Sequence, residues 1–257
     1  MRLNLLIPCY NDSVNDIPAN LLPQRSDVRY FVSHQISPDR AGIEMPAELD
    51  RPDVIYSSFT GKGVALNRSH CLDMARQAPR GEDEICLMTD DDASYRPDSF
   101  DIVMDTFREN PDIDIAAFRI CTPEGQPPYK AYPDKVKDIR KIPLSGKFYF
   151  STVEIAFKLS SVGDLRYDED FGVGAEKWPE GGEETIFLSD CLKMGLKMRY
   201  FPKEIVIHAY MSTGKARKSV RKAHMMRAVA CRCCGPFSFE AILGSLRVLY
   251  RKLLRML

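Results

Sequence analysis

Residues 85–92 read Ile-Cys-Leu-Met-Thr-Asp-Asp-Asp, and this stretch decides the fold. Its four apolar residues follow the charged turn 81–84 and predict a short buried strand. Three adjacent carboxylates at a strand end raise one another's pKa values unless a positive charge lies nearby. A hard divalent cation such as Mg²⁺ or Mn²⁺ provides that charge and commonly shares its site with substrate phosphates.

The alternative interpretation of the acidic triplet is a helix cap and turn. Asp is favoured at such positions, and Pro97 suits a helix start. A turn needs one Asp, however, whereas this stretch has three. Asp90 and Asp92 lie on the same side of an extended segment, so both can face one ion. We therefore predict a metal site at the end of this strand.

The flanking sequence alternates strand and helix patterns, which predicts an α/β fold with a mostly parallel sheet covered by helices. In such sheets, ligands bind beyond the carboxyl ends of the strands, and Tyr10-Asn11, residues 33–35 and the acidic triplet all follow predicted strands. Strands are predicted at 3–7, 28–32, 54–56, 85–88 and 113–120, and helices at 64–78 and 100–110.

The second half of the sequence is less regular. Residues 121–147 form a Pro-rich excursion, and residues 148–157 predict a strand on an added antiparallel edge. A polar loop at 168–182 precedes a helix at 183–194. Two short strands are predicted at 198–201 and 205–207, separated by Pro202.

Composition indicates a soluble globular protein with a basic tail. The 257 residues are 44% hydrophobic and 28% charged, and the eight cysteines are too sparse for a disulfide scaffold. We find no pattern of a signal peptide or membrane span and expect a cytoplasmic chain with free thiols. The segment from Lys215 onward has eleven Lys and Arg residues and one acidic residue, Glu240, so its net charge is +10. The preceding residues have a net charge of −10.

Several stretches resemble the family 2 glycosyltransferases, which have the nucleotide-sugar-binding GT-A fold. Residues 5–11 are similar to the first strand and its Pro-x-Tyr-Asn end, and residues 61–68 to the Gly-x-x-x-x-x-Arg turn and helix. Asp90–Asp92 resembles the Asp-x-Asp metal motif. Phe171–Gly174 with Gly182–Glu184 resembles the acceptor-side acidic motif, and His208 lies where the family often has a late His.

The resemblance implies a metal-dependent inverting glycosyltransferase with a UDP-sugar as the expected donor. Its catalytic domain would span 1–212, with a nucleotide-sugar-binding half at 1–120 and an acceptor-side half at 121–212, followed by a basic helical extension at 213–257. The acceptor would be a hydroxyl of a glycan or of a lipid-linked molecule in bacterial surface polysaccharide synthesis.

The resemblance also implies roles for individual residues. Asp90, Asp92 and His208 would hold Mn²⁺ or Mg²⁺, although His208 follows an apolar run and could instead be a buried structural histidine. Glu184 would be the general base and Glu183 its acceptor-binding neighbour, although acidic residues in a first helical turn often only complement the helix dipole. The expected donor-binding residues are Pro8, Tyr10, Asn11, Gln35, Lys62, Arg68, Asp90 and Asp91.

Two departures from the family pattern leave parts of this assignment open. Residues 33–37 replace the family's Asp-Asp-Gly-Ser run, so the nucleobase is open, although the Gln35 amide can pair with a base edge. Glu-Glu replaces the commoner Glu-Asp, which leaves open whether Glu183 or Glu184 is the base. Gly182 allows close approach of an acceptor, and Trp178 is either a sugar-stacking platform or a loop anchor.

Two other functions fit parts of the sequence. A sugar-phosphate nucleotidyltransferase would share the sheet and the acidic triplet, whereas a non-enzymatic adaptor would bind a membrane or nucleic acid through the basic tail. We expect no nucleic-acid partner. Residues 239–257 predict a helix with an apolar stripe and arginines at 247, 251 and 255, a pattern typical of a helix lying on an anionic membrane surface. The alternative is a helix whose apolar stripe packs on the catalytic domain.

Overall fold

The computed structural model describes residues 1–40, 42–79, 81, 83–144, 148–210 and 220–253, with backbone alone for 252 and 253. An eight-stranded sheet forms its centre, in the order β3-β2-β1-β4-β7-β5-β8-β6. The strands are β1 (Arg2–Tyr10), β2 (Val28–Ile36), β3 (Val54–Thr60), β4 (Glu84–Met88), β5 (Ile115–Cys121), β6 (Lys137–Ile139), β7 (Ile155–Lys158) and β8 (Met198–Ile207).

Helices cover both faces of this sheet. They are α1 (Val64–Gln77), α2 (Ser99–Glu109), the short α3 (Leu159–Val162), α4 (Glu183–Lys193), α5 (Val220–Cys234) and α6 (Phe239–Leu253). Short 3₁₀ turns follow β1 at Asn11–Asp16 and Pro18–Asn20, and precede β7 at Thr152–Glu154.

Alternation along the strands builds a core on each side of the sheet. Leu3, Leu5 and Ile7 of β1 pack in one cluster, which includes Phe100 and Phe107 of α2. Leu6 points the opposite way, into a cluster with residues from α1 and α4. Because both faces are buried, the strands are nearly continuous apolar runs.

The prediction of a mostly parallel α/β sheet of glycosyltransferase type, flanked by helices, is confirmed. Strands β1, β2, β3 and β4 pair in parallel, so their carboxyl ends lie along one edge of the sheet. Strand β7 is antiparallel to both β4 and β5, so β5 runs in the same direction as β1–β4. Strand β8 pairs in parallel with β5 and shares this direction.

Two predictions for the second half were wrong. The segment 148–157 is not an edge strand, because only Ile155–Lys158 pairs, and it lies between β4 and β5 inside the sheet. Residues 198–207 form one strand rather than two. Pro202 falls where the β5–β8 register shifts, and a strand tolerates proline at such an irregularity.

The C-terminal helices pack on the sheet domain and on each other. Helix α5 contacts α4, and α6 folds back along α5. The predicted boundary between the catalytic domain and the C-terminal extension, at residue 212, lies outside the described residues. The same holds for four cations of the basic tail: Lys215, Arg217, Lys218 and Arg255. Among the residues described, no helix combines the length and apolar character needed to cross a membrane.

Candidate active site

The predicted metal ligands come together at the ends of β4 and β8. One side-chain atom each of Asp90, Asp92 and His208 lies within 4.8 Å of the others. A pair of backbone hydrogen bonds between Ser94 and Ile207 holds the two strand ends side by side, at 3.1 and 2.8 Å. Two carboxylates and one imidazole form a donor set that suits Mn²⁺ and accommodates Mg²⁺.

His208 is oriented for ligation. Its Nδ1 lies 2.8 Å from the carbonyl oxygen of Ala209, which can only accept a hydrogen bond, so Nδ1 carries the proton. The other ring nitrogen, Nε2, lies 3.4 Å from Asp92 Oδ1. The hydrogen bond to Asp92 raises the pKa of His208 to about 8, because the carboxylate stabilises the protonated ring.

Asp91, the middle carboxylate of the triplet, is engaged elsewhere. Its Oδ2 accepts a hydrogen bond from Ser13 in the turn that follows β1, and Asn20 Nδ2 donates to its backbone oxygen at 3.1 Å. Burial raises the pKa of Asp91 to about 6, with Asp90 and Asp92 contributing in the same direction. Asp91 therefore fixes the metal loop against the first strand, although it also borders the cavity.

Arg68 joins the metal motif to the acceptor-side acidic motif. Its guanidinium donates to Glu183 Oε1 at 2.5 Å and to Asp90 Oδ1 at 3.0 Å, and both Arg68 and Glu183 are 5% exposed. Its charge is thus balanced by two protein carboxylates. The position suits a residue that holds Asp90 in place as well as the predicted neutralisation of a pyrophosphate.

Glu184 has the features of an acid–base group. It stands half-buried in the first turn of α4 and lines the cavity. Burial and then the neighbouring Glu183 raise the pKa of Glu184 to about 8, against the opposing effect of Arg68. Glu183 cannot move freely, since Arg68 holds it, and this difference favours Glu184 as the proton acceptor.

All these groups face one cavity of about 880 Å³. One side, which we call the strand-end wall, consists of residues at strand or loop ends: Pro8, Tyr10, Gln35, Lys62 and Asp90–Asp92. The other side, which we call the helical wall, consists of Tyr129, residues 149–153, residues 181–185, and Lys222, Met225, Met226 and Val229 of α5.

Gln35 offers a buried hydrogen-bond donor without a partner on the strand-end wall. It is 2% exposed, and its Nε2 has no hydrogen-bond partner among the described residues. Asn11, also expected to bind the donor, does not line the cavity. Its side chain instead bonds both the hydroxyl and the backbone N–H of Ser37, at 3.2 and 2.9 Å, and so ties the ends of β1 and β2 together.

Gly182 and Trp178 both take part in the packing around α4 and α5. Gly182 has φ +99°, and a Cβ there would lie 2.6 Å from Val229 Cγ2, so close packing of α5 requires this glycine. Trp178 stacks on Phe171 with ring centroids 6.4 Å apart and packs against the α4–α5 cluster. It does not line the cavity, which favours the loop-anchor alternative.

The fold has counterparts among solved structures. The structure of S. aureus TarS 1-349 aligns with this chain at a TM-score of 0.58 and 14% sequence identity, and the alignment covers 98% of this chain and 72% of the TarS chain. The structure of the same protein in complex with UDP-GlcNAc has a TM-score of 0.58 at 12% identity, and the alignment covers 98% of this chain and 72% of TarS 1-349. The structure in complex with UDP has a TM-score of 0.55 at 12% identity, with 98% of this chain and 71% of TarS 1-349 covered. TarS is a glycosyltransferase.

This chain has a glycosyltransferase fold. At these identities the likeness is one of fold, and it does not single out family 2. No protein-family model matches the sequence, and no curated protein sequence matches it.

Gly182, Glu183 and Glu184 are the only predicted site residues on the helical wall, and its other residues carry no recognised sequence signal. Lys130 and Glu154, whose side chains are 3% and 0% exposed, form a buried ion pair at 2.5 Å. Lys130 also donates to the backbone oxygen of Tyr149, so the pair fixes the segment that lines the cavity. Tyr129 packs edge-on against His208 at 5.6 Å. Tyr129 and Lys130 lie in the Pro-rich excursion, where no periodicity marks them, and Tyr149 and Glu154 lie in the segment 148–157 that follows it.

Proposed function

We propose that this protein is a metal-dependent, inverting glycosyltransferase of the family 2 type, which transfers a hexosyl group from a UDP-sugar to a hydroxyl. The observation that carries the proposal is the meeting of a divalent-metal donor set and a carboxylate of raised pKa in one cavity of a glycosyltransferase fold. TarS, which shares the fold, has been solved with UDP-GlcNAc and with UDP, and this supports a uridine nucleotide as the donor.

Asp90, Asp92 and His208 would hold the metal. When bound, Mn²⁺ or Mg²⁺ supplies positive charge that stabilises the diphosphate as it leaves. The Gln35 amide donates a hydrogen bond to an acceptor atom on the nucleobase, since a uracil carbonyl would satisfy its unpaired Nε2. Lys62, on the same wall, adds positive charge beside the phosphates.

Glu184 acts as the general base. It removes the proton from the acceptor hydroxyl as that oxygen forms a bond to the anomeric carbon, while the bond from this carbon to the phosphate oxygen breaks on the opposite face. Displacement from the opposite face inverts the anomeric configuration. Glu183, fixed by Arg68, binds the acceptor beside the base and contributes to the raised pKa of Glu184.

The helical wall binds the acceptor. It combines the aromatic and apolar side chains of Tyr149, Met225 and Val229, which suit the faces of sugar rings or an apolar carrier. Together with the family resemblance, this favours a glycan or a lipid-linked glycan of bacterial surface polysaccharide synthesis. Such a substrate is assembled at the cytoplasmic face of a membrane, where the enzyme would then be peripheral.

A donor screen tests the proposal. Purified protein is incubated with single nucleotide-sugars and Mn²⁺, Mg²⁺ or EDTA, with a mixture of glycan acceptors, and release of nucleoside diphosphate is measured. We expect UDP release from a UDP-sugar only when metal is present. Release of pyrophosphate from a nucleoside triphosphate and a sugar phosphate would instead identify a nucleotidyltransferase and contradict the proposal.

A further inference from the structure

Helix α6 has two separate apolar faces, and only one of them packs on the protein. Ala241 and Val248 are 1% and 7% exposed, and they lie with Gly244 on the face toward α5. A Cβ at Gly244 would lie 3.1 Å from the Cα of Arg227, so the backbones of the two helices approach closely there.

The second face is uncovered. Phe239, Ile242, Leu246 and Leu249 follow one another at helical spacing and are 76%, 52%, 58% and 55% exposed. Phe237, in the turn before the helix, is 91% exposed and extends the same patch. An apolar stripe of this length on a soluble protein indicates an interaction surface, because water does not favour such exposure.

The positive charges on α6 indicate what kind of surface the apolar stripe binds. Arg247 and Arg251 lie one turn apart, on the side of α6 between the stripe and the face toward α5, and neither has an acidic partner in the described part of the chain. The single acid of the tail, Glu240, forms an ion pair with Lys141. A second copy of this chain would bring two equally basic faces together, whereas an anionic lipid surface attracts both arginines.

We propose that α6 docks on an anionic membrane surface through the stripe Phe239, Ile242, Leu246 and Leu249. The apolar side chains enter the boundary between headgroups and acyl chains, and Arg247 and Arg251 extend to the lipid phosphates. Since α5 carries α6 on one side and lines the cavity on the other, docking would hold the cavity near a lipid-linked acceptor. That last consequence rests on the proposed function, whereas the docking itself does not.

Co-sedimentation of the full chain with vesicles tests the docking. The vesicles contain phosphatidylcholine alone or phosphatidylcholine with phosphatidylglycerol, at low and high salt. We expect wild type to pellet only with the anionic vesicles, and less at high salt. Leu246→Glu with Leu249→Glu should lower the partition coefficient by about tenfold or more, and Arg247→Gln with Arg251→Gln by a similar factor.

Matched controls separate docking from a general effect of the substitutions. Val136→Glu and Met194→Glu change side chains that are 55% and 54% exposed elsewhere, and they should leave the partition unchanged. The α6 variants should keep the thermal midpoint of wild type, because the replaced side chains are already exposed.

Three results would overturn the docking proposal. Wild type could stay in the supernatant with every vesicle, or the controls could lose as much binding as the α6 variants. Light scattering could also show a dimer that Leu246→Glu with Leu249→Glu abolishes, which would assign the stripe to a second copy. UDP release measured without vesicles is independent of these outcomes, so failure of docking and failure of glycosyl transfer are distinguishable.

Discussion

On the strand-end wall of the cavity, functional side chains follow directly from the ends of parallel strands, whereas on the helical wall they come from an irregular insert, a helix N-terminus and α5. Gln35 is paired with Tyr10 inside the sheet, and Asp90 follows two residues after Met88, the last paired residue of β4. Tyr129 and Tyr149 depend instead on a buried ion pair between Lys130 and Glu154. The strand-end wall is thus positioned mainly by its closeness to paired strands, whereas part of the helical wall is positioned by a buried ion pair between side chains.

Substitution of Asp92 should have the largest effect. Asp92→Asn removes one negative charge from the metal donor set without removing a packing group, so turnover should fall about a thousandfold or more. Turnover is measured as UDP release at saturating Mn²⁺, with circular dichroism to verify folding. Asp91→Asn is the matched control, since that carboxylate contacts Ser13, and it should retain far more activity.

The helical wall carries the second-largest effect. Glu184→Gln should lower kcat by about 10²–10⁴-fold and leave donor affinity nearly unchanged, because a general base acts in the transition state. The measurement is steady-state kinetics in both substrates. If Glu183→Gln loses as much kcat while Glu184→Gln stays active, the base is Glu183 instead.

The buried ion pair between Lys130 and Glu154 should stabilise the fold around the helical wall. Lys130→Met leaves the fully buried Glu154 without its partner and should lower the free energy of unfolding by about 3 kcal/mol, measured by urea denaturation. Lys130→Met with Glu154→Leu should recover part of this loss. Arg108→Met breaks an exposed pair with Asp105 and should cost less than about 1 kcal/mol. Equal losses in the two single variants would contradict the comparison.

The pH dependence of kcat gives a further test of Glu184 as the base. The pKa of Glu184 is raised to about 8, so the side chain is protonated below that pH and cannot accept a proton. With saturating metal, kcat should rise about tenfold per pH unit below pH 8 and level off above it. Glu184→Gln should remove this rise. A profile that is flat from pH 6 to 9 would show that the proton goes elsewhere.

Local patterns predicted the strand-end wall well, because its residues are adjacent in sequence to the strands that position them. An apolar run followed by three aspartates indicates both β4 and the metal motif. The helical wall depends on contacts between distant residues, such as Gly182 with Val229, which no local pattern reveals. For the same reason, the four-residue strand β7 gives no sign that it lies between β4 and β5.

The proline in β8 shows a second limit. Pro202 normally ends a strand, and the sequence therefore predicted two strands rather than one. In the structure, the neighbouring β5 accommodates it through a shift in register. Such an accommodation depends on the partner strand and is not encoded near the proline itself.

Calorimetric titration of UDP into the protein, with Mn²⁺ or with EDTA, tests most directly whether the strand-end wall is a metal-dependent nucleotide site. We expect UDP to bind with Mn²⁺ present, EDTA to abolish binding, and Asp92→Asn to remove the metal-dependent part of the binding. Binding of UDP that is equally tight in EDTA, or unchanged in Asp92→Asn, would contradict this expectation.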